Sequence, residues 1–318
     1  MLPLTAVAVS ISVVIPVYNS AVTIRSVVDR LVPVLRSVAG RYEIILVNDG
    51  SRDDSWPVIR ELAQRHSDIG GVDLMRNYGQ HNALLCGIRA ARHEVIVTID
   101  DDLQHRPEEL PRLISRLDEG FDVVYGVPDR EQHGLWRNLS SRLTKAALRT
   151  AIGAEIAPMV SAFRAFRGSL KPAFTEPQSP LLNIDVLLSW ATTRVAAVTV
   201  RRDPRAAGAS NYTFRALVRH TMNMMTGFSV VPLQLATLVG FAFTLFGIGV
   251  LLYVVGRYLI SGASVPGFPF LASVIAIFSG AQLFALGIIG EYLGRMHMRT
   301  MARPAYLVRT ETRADAVR

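Results

Sequence analysis

The chain has 318 residues, 50% of them hydrophobic, and a formal net charge of +8 at pH 7. This length exceeds one average domain, so we expect a globular part together with a second, different part. Cys86 is the only cysteine, which excludes an intrachain disulfide and gives no argument for an oxidising compartment.

The basic balance alone suits nucleic acid, anionic lipid or a phosphorylated substrate equally well. Its distribution favours lipid, because between Phe228 and Gly294 only Arg257 and Glu291 carry a formal charge. Basic residues flank this apolar stretch on both sides. They are Arg215, Arg219 and His220 before it, and Arg295, His297, Arg299, Arg303 and Arg309 after it. No basic groove with interleaved aromatic residues is legible, so we expect no nucleic acid partner.

The N-terminal stretch from Leu4 to Val17 is apolar enough to resemble the core of a signal peptide. It lacks the basic region of such a peptide, because no Lys or Arg occurs before Arg25. We interpret Ser12 to Val17 as a buried strand, with membrane contact as the alternative.

Short apolar runs alternate with segments of helical periodicity over the first half of the chain. Each run ends in polar turn residues, and a helix pattern follows. The predicted strands are Ile11–Val17, Glu43–Val47, Val72–Met75, Glu94–Ile99 and Asp122–Val127. The alternation predicts a largely parallel, doubly wound α/β sheet, whose ligands bind beyond the carboxyl ends of the strands.

A burst of carboxylates follows the fourth predicted strand. In an extended segment residues two apart point the same way, so Asp100, Asp102 and Gln104 could converge on one divalent cation while Asp101 points elsewhere. Such a cation, Mg²⁺ or Mn²⁺, would bridge a donor diphosphate. The alternative is a solvated acidic turn, or a helix-capping cluster before Pro107.

The second half of the chain has membrane character. Val230–Val255 and Phe270–Gly290 each exceed the roughly 20 apolar residues that cross a bilayer. The predicted parts are a catalytic domain over 1–212, an amphipathic interfacial helix over 213–228, two transmembrane helices over 229–294 and a basic tail over 295–318. Because the basic residues lie outside the helix pair, both chain ends should be cytoplasmic, at the inner membrane of a bacterium.

Four polar motifs occur in order, each after a predicted strand. They are Pro16-Val17-Tyr18-Asn19, Val47-Asn48-Asp49-Gly50-Ser51, Arg76-Asn77-Tyr78-Gly79-Gln80-His81-Asn82-Ala83 and Asp100-Asp101-Asp102-Leu103-Gln104. Together they resemble glycosyltransferase family 2, and specifically its polyprenyl-phosphate branch, which includes dolichyl-phosphate mannose synthase. The resemblance extends to Phe163-Arg164, to the run from Gly208 to Tyr212, and to the close of the second apolar span at Gly290 to Arg295.

This resemblance implies a GT-A fold and an inverting transfer of a sugar from a nucleotide sugar, preferably a UDP-sugar, to a polyprenyl phosphate such as undecaprenyl phosphate. It implies donor-binding residues Pro16, Tyr18, Asn19, Asp49, Ser51 and Gln80, and catalytic residues Asp100, Asp102 and Arg164. It implies metal ligands Asp102 and Gln104, with support from Asp100, and phosphate or acceptor contacts at Arg130, Arg205 and Ser210. Single residues have structural alternatives, such as a turn at Asp49, a helix cap at Gln80 and surface charge at Arg164 and Arg205.

Three departures from the family pattern leave the acceptor contacts and any general base open. Pro128 stands where relatives often have an Arg, Pro158 where many have an Asp, and Asn211 where a Lys is usual. They prompt an alternative, a membrane-anchored adaptor that binds nucleotide sugar without efficient catalysis. A processive polysaccharide synthase is a further alternative, although the chain has no Gln-x-x-Arg-Trp element.

The spacing of Gly290 and Gly294 would permit close helix packing between subunits. A homodimer or homotetramer is therefore possible.

Overall fold

A computed structural model describes residues 9–128, 152–153, 155–175, 182–203, 230–261, 267–301 and 303–312. These residues belong to two compact units. The first contains the described residues up to 203 together with 303–312, and the second contains residues 230–261 and 267–301.

The first unit is built on a sheet of eight strands within the described residues. The strands are β1 (Ser10–Val17), β2 (Arg41–Asn48), β3 (Ile69–Leu74), β4 (Val95–Thr98), β5 (Val123–Pro128), β6 (Arg164–Arg167), β7 (Val195–Val200) and β8 (Val308–Thr312). Their order across the sheet is β7-β5-β6-β4-β1-β2-β3-β8. Only β6 and β8 run antiparallel to their neighbours, so the predicted, largely parallel α/β fold is confirmed.

Among the described residues, five helices cover the two faces of this sheet. They are α1 (Ile24–Val38), α2 (Ser55–Arg65), α3 (Gln80–Ala90), α4 (Leu110–Asp118) and α5 (Ile184–Ala191), with 3₁₀ turns at Pro107–Glu109 and Gly168–Phe174. Strand β1 shows why both faces are apolar: Val13 and Ile15 pack in the cluster that contains α1, α2 and α4, while Val14 packs with α3 and α5. Strands buried on both faces read as continuous apolar runs, and every residue of β1 after Ser10 is buried.

The central position of β1 confirms the prediction of a buried strand near the N-terminus. Helix α3 packs directly on this strand. A side-chain carbon at Gly87 would lie 2.2 Å from Cγ1 of Val14, so only glycine allows this approach. The close packing fixes the start of α3, and with it Gln80, next to the end of β1.

The second unit consists of two long apolar helices, α6 (Val231–Ser261) and α7 (Phe268–Thr300). The mean hydropathy reaches 2.4 in Val231–Ile260 and 1.3 in Ile277–Thr300, so both are long and apolar enough to cross a membrane. The ring of Phe278 lies 5.7 Å from that of Phe243 and 6.5 Å from that of Phe246. The two predicted membrane helices are therefore present as a packed pair, while the predicted amphipathic helix over 213–228 lies outside the described residues.

The end of the chain differs from the predicted division. Helix α7 continues to Thr300, beyond the predicted boundary at residue 294, and Val308–Thr312 then pairs antiparallel with β3 in the first unit. The segment predicted as a basic tail over 295–318 is thus partly helix and partly sheet. The sequence pattern did not indicate strand β8, because its charged residues resemble a solvated tail. Charged residues are common on edge strands, where they discourage association with other sheets.

Candidate active site

A cleft lies at the carboxyl ends of β1, β2, β3 and β4. Its cavity volume is about 250 Å³, and it is open to solvent. Its lining comes from four segments that are far apart in sequence but follow neighbouring parallel strands. The lining residues are Pro16, Val17, Tyr18, Asp49, Asn77, Gly79, Gln80, Asp100, Asp101 and Asp102.

Asp49 joins the segment after β2 to the segment after β3. Its buried carboxylate accepts hydrogen bonds from the backbone N–H groups of Tyr78, at 2.7 Å, and Gly79, at 2.9 Å. Burial raises the pKa of this carboxyl, and the two hydrogen bonds oppose the shift. Each oxygen can accept a further hydrogen bond, so the group remains able to bind a donor N–H of a ligand.

Gly50 makes this junction possible. It has φ +64°, and a side-chain carbon there would lie 2.4 Å from the backbone carbon of Arg76. Glycine adopts such a conformation readily, and it leaves room for a neighbouring backbone. The run Asn48-Asp49-Gly50 is therefore more than a tight turn, because it places Asp49 against the third loop.

Asn19 and Ser51 hold two loops together rather than line the cleft. The backbone N–H of Asn19 donates to Oγ of Ser51 at 3.0 Å, and the N–H of Arg52 donates to Oδ1 of Asn19 at 2.8 Å. They are not among the residues that line this cleft, and their predicted role in binding the donor stays a prediction. Pro16, Tyr18, Asp49 and Gln80, predicted with them, do line the cleft.

The backbone segment that carries the carboxylates after β4 is bent. Leu103 has φ +60°, whereas the predicted convergence of three ligands assumed an extended segment. Oε1 of Gln104 accepts a hydrogen bond from Arg202, and Gln104 is not among the residues that line the cleft. Asp100 and Asp102 do line it, and the metal-ligand role of all three residues stays a prediction.

The other carboxylate contacts fix the orientation of the cluster. Nε2 of Gln80 donates to Oδ1 of Asp100 at 2.7 Å, and the backbone N–H of Gln104 donates to Oδ1 of Asp102 at 3.0 Å. Asp101 accepts from the backbone N–H of Tyr18 at 3.3 Å, so its carboxylate is engaged by the first loop.

The crowding of these carboxylates affects the pKa of Asp100. Burial, followed by the charges of Asp102 and Asp101, raises the pKa of Asp100 to about 7, against the opposing charges of Arg164 and Arg202. A divalent cation would relieve this repulsion. Over the described ranges, no three or more His, Cys, Asp or Glu side chains form a ready metal cage. Two carboxylates nevertheless fit Mg²⁺, which proteins often bind through one or two carboxylates together with substrate phosphates.

Arg164 occupies a different place from the one predicted. Its side chain is 2% exposed, its Nε donates to Oγ1 of Thr98 at 2.9 Å, and its Nη1 forms an ion pair with Asp185. Asp185 also accepts a hydrogen bond from the hydroxyl of Tyr125 at 3.0 Å. The guanidinium is thus a buried charge behind the cleft, and it does not line it.

Sequence reasoning gave no role to Asn77 and Gly79, which line the cleft, or to Asp185. Asn77 and Gly79 lie in the motif from Arg76 to Ala83, so their position in that motif could have indicated a role in the cleft. Asp185 had no local signal. The predicted phosphate contacts at Arg130, Arg205 and Ser210 lie outside the described residues.

Comparison with known proteins agrees with this arrangement. The family model described as "Glycosyl transferase family 2" matches residues 12–170. A protein named undecaprenyl-phosphate 4-deoxy-4-formamido-L-arabinose transferase from Shewanella sediminis is 35% identical over 301 residues, covering 94% of this chain and 91% of its own. The protein of the same name from Pseudomonas aeruginosa strain LESB58 is 34% identical over 307 residues, covering 96% of this chain and 91% of its own.

Among solved structures, the chain is similar in fold to glucosyl-3-phosphoglycerate synthase from Mycobacterium tuberculosis, crystallised with Mn²⁺ and uridine-diphosphate-glucose. The TM-score is 0.50 and the identity 24%, over 69% of this chain and 77% of that chain. This likeness supports the expected GT-A fold.

The raised pKa of Asp100 predicts that this residue lowers the stability of the metal-free protein. Because the unfolded chain ionises this carboxyl near its ordinary pKa of 3.8 while the folded protein keeps it protonated up to about pH 7, the cost grows between these two pH values and is fully present above pH 7. Asp100→Asn should therefore raise the Tm by a few degrees at pH 8 in EDTA, and by less at pH 5. Calorimetry at both pH values measures this, with exposed Asp29→Asn as the control. An unchanged or lower Tm for Asp100→Asn at pH 8 would contradict the electrostatic analysis.

Proposed function

The chain belongs to glycosyl transferase family 2, and we propose that it transfers a sugar from a UDP-sugar to undecaprenyl phosphate with release of UDP. The observation that carries this proposal is the cleft in which Asp100 and Asp102 face the predicted nucleoside-binding residues Tyr18 and Asp49. The acceptor is proposed from the names of relatives that match nearly the whole chain, including both apolar helices.

In this proposal the nucleoside of the donor lies between the segments after β1 and β2. Tyr18 offers a ring that is 45% exposed, and Asp49 offers a carboxylate held rigidly by two backbone N–H groups. Pro16 borders the same space, and Gln80 reaches from α3 to the carboxylate cluster. The diphosphate would then lie toward Asp100 and Asp102.

Asp100 and Asp102 are the proposed ligands of Mg²⁺ or Mn²⁺. A bound cation would neutralise charge on the donor diphosphate and on the departing nucleotide. The chain's own contribution is orientation: Gln80 holds Asp100 at 2.7 Å, and the N–H of Gln104 holds Asp102 at 3.0 Å. The buried charge of Arg164 favours the ionised form of Asp100, which is the form that binds a cation.

The acceptor phosphate can attack without a general base. A phosphate monoester has its second pKa near roughly 6, so at neutral pH it is largely dianionic. In the proposed step a phosphate oxygen forms a bond to the anomeric carbon while the bond from that carbon to the donor diphosphate breaks, with inversion. Arg130, Arg205 and Ser210 remain the proposed contacts of the phosphate groups.

The proposed location is the inner membrane, with the catalytic unit and both chain ends in the cytoplasm. Two successive membrane spans return the chain to the side on which it began, so the segments before α6 and after α7 should lie on the same side. The excess of basic residues outside the pair favours the cytoplasmic side. Self-association into a dimer or tetramer through α7 stays a proposal.

Activity should depend on a divalent cation and on Asp102. EDTA should abolish release of UDP from a UDP-sugar in the presence of undecaprenyl phosphate, and Mg²⁺ or Mn²⁺ should restore it. Asp102→Asn keeps the size of the side chain but removes its charge, so the rate should fall about a hundredfold to a thousandfold at saturating metal, by analogy with the loss of one strong electrostatic contact.

The matched control for this assay is Asp68→Asn, an exposed carboxylate between α2 and β3, which should leave the rate unchanged. If Asp102→Asn keeps more than half of the wild-type rate, the cluster is a structural turn and the site is wrongly assigned. A wild-type protein that binds UDP but transfers no sugar would favour the adaptor.

The topology can be tested by labelling introduced cysteines with a membrane-impermeant maleimide. Ser264→Cys, in the segment between α6 and α7, should react in spheroplasts, whereas Ala316→Cys should react only in inverted vesicles. Cys86 should give no background, because it is 4% exposed and burial raises the pKa of its thiol to about 12. Reaction of both introduced cysteines from the same side would overturn the proposed orientation.

A further inference from the structure

The strand that follows the second apolar helix contains a bulge. Across the antiparallel pair of β3 and β8, Asp73 lies opposite Thr310 and Leu74 opposite Val308, and the register shifts between them. Arg309 is therefore the extra residue. A bulge redirects the side chain that it carries, and here it lies where β3 runs into the loop that lines the cleft.

Arg309 contacts the end of β3 in two ways. Its Nη1 lies 3.6 Å from Oδ2 of Asp73, and its Nη2 donates to the backbone oxygen of Met75 at 2.8 Å. The Asp73 side chain is 5% exposed, while that of Arg309 is 56% exposed. A buried carboxylate requires compensation by hydrogen bonds and opposite charge, and Arg309 supplies the charge from the surface.

Asp73 in turn contacts the loop after β2, between Asn48 and Ser51, which borders the cleft. Its Oδ1 accepts a hydrogen bond from Nδ2 of Asn48 at 2.6 Å, and Oδ1 of Asn48 accepts one from the backbone N–H of Ser51 at 3.4 Å. Both Asp73 and Asn48 are buried. The loop between Asn48 and Ser51 carries Asp49, which lines the cleft, so a continuous path of polar contacts joins Arg309 to the proposed nucleoside site.

We propose that Arg309 is a positioning residue for the nucleotide donor, acting through Asp73 and Asn48 on the loop that carries Asp49. The proposal rests on the proposed function, because it assigns the donor to this cleft. The carboxylates Asp100 and Asp102 follow a different strand, β4, and are held by Gln80 and by the backbone N–H of Gln104 rather than by Arg309, Asp73 or Asn48. Loss of Arg309 should therefore weaken donor binding and leave turnover at saturating donor nearly unchanged.

The test uses the full chain in lipid nanodiscs, with UDP and Mg²⁺ as the probe in calorimetry and a UDP-sugar in turnover assays. Arg309→Met should raise the Kd of UDP and the KM of the donor by about tenfold, a size typical of residues that act through neighbours, while kcat changes less than about twofold. Arg309→Lys keeps the charge near Asp73 and should recover most of the affinity.

Asp73→Asn isolates the ion pair, because its amide oxygen can still accept the hydrogen bond from Asn48 while its charge is lost. It should weaken UDP binding in the same direction as Arg309→Met does, and the double variant should bind UDP no more weakly than Arg309→Met alone, since Arg309→Met already removes the ion pair with Asp73. Glu311→Gln changes a charge on the same strand at a residue opposite Val72, away from the path, and serves as the control.

An unchanged Kd in Arg309→Met would overturn the proposal. So would a kcat that falls as much as KM rises together with a lower Tm, because that pattern indicates general destabilisation. Hydrogen exchange at residues 49–51 gives an independent measurement: faster exchange in Arg309→Met supports the path and unchanged exchange refutes it. If the wild type does not bind UDP, the proposed donor is wrong, and hydrogen exchange alone still decides the role of Arg309.

Discussion

The two hydrogen bonds from the backbone of Tyr78 and Gly79 to Asp49 are the interaction on which the cleft depends. Parallel strands bring several loops to one edge of a sheet, but each loop also carries polar backbone groups that need partners. Asp49 meets this need for the loop after β3, and Gly50 lets the two backbones approach. The same carboxylate borders the cleft, so holding the loops and offering a binding group are tasks of one residue.

On the opposite side of the cleft, the carboxylate cluster lowers the stability of the metal-free protein. Asp100, Asp101 and Asp102 stand in succession in a bent segment, and their mutual repulsion adds to burial in raising the pKa of Asp100. A protein under selection for stability alone would not keep such a cluster, whereas a site that receives a cation and a diphosphate benefits from it. The positive charge of buried Arg164, which is paired with Asp185, opposes this rise in the pKa of Asp100.

Local patterns predicted what depends on local structure. The alternating strands and helices predicted the sheet, and the carboxylate run after the fourth strand predicted Asp100 and Asp102 at one site. The family resemblance implied Pro16, Tyr18, Asp49 and Gln80, which lie beside them in the cleft. The bend at Leu103, which has a positive φ, could not be predicted, because no periodicity signals a single such residue.

The structural contacts of Arg164 and of β8 could not be predicted for another reason. Each depends on a distant partner, Asp185 in one case and β3 in the other, and sequence spacing contains no information on such contacts. Strand β8 belongs to the catalytic unit, although its sequence is typical of a basic tail.

We propose that this cleft activates a nucleotide sugar for transfer to a lipid phosphate. The most direct measurement incubates the purified full chain with undecaprenyl phosphate and a panel of UDP-sugars, and follows the lipid by mass spectrometry and UDP by chromatography. One donor should increase the mass of the lipid by one sugar residue and release an equal amount of UDP. Release of UDP with every donor while the mass of the lipid stays unchanged, or no release with any donor, would contradict it.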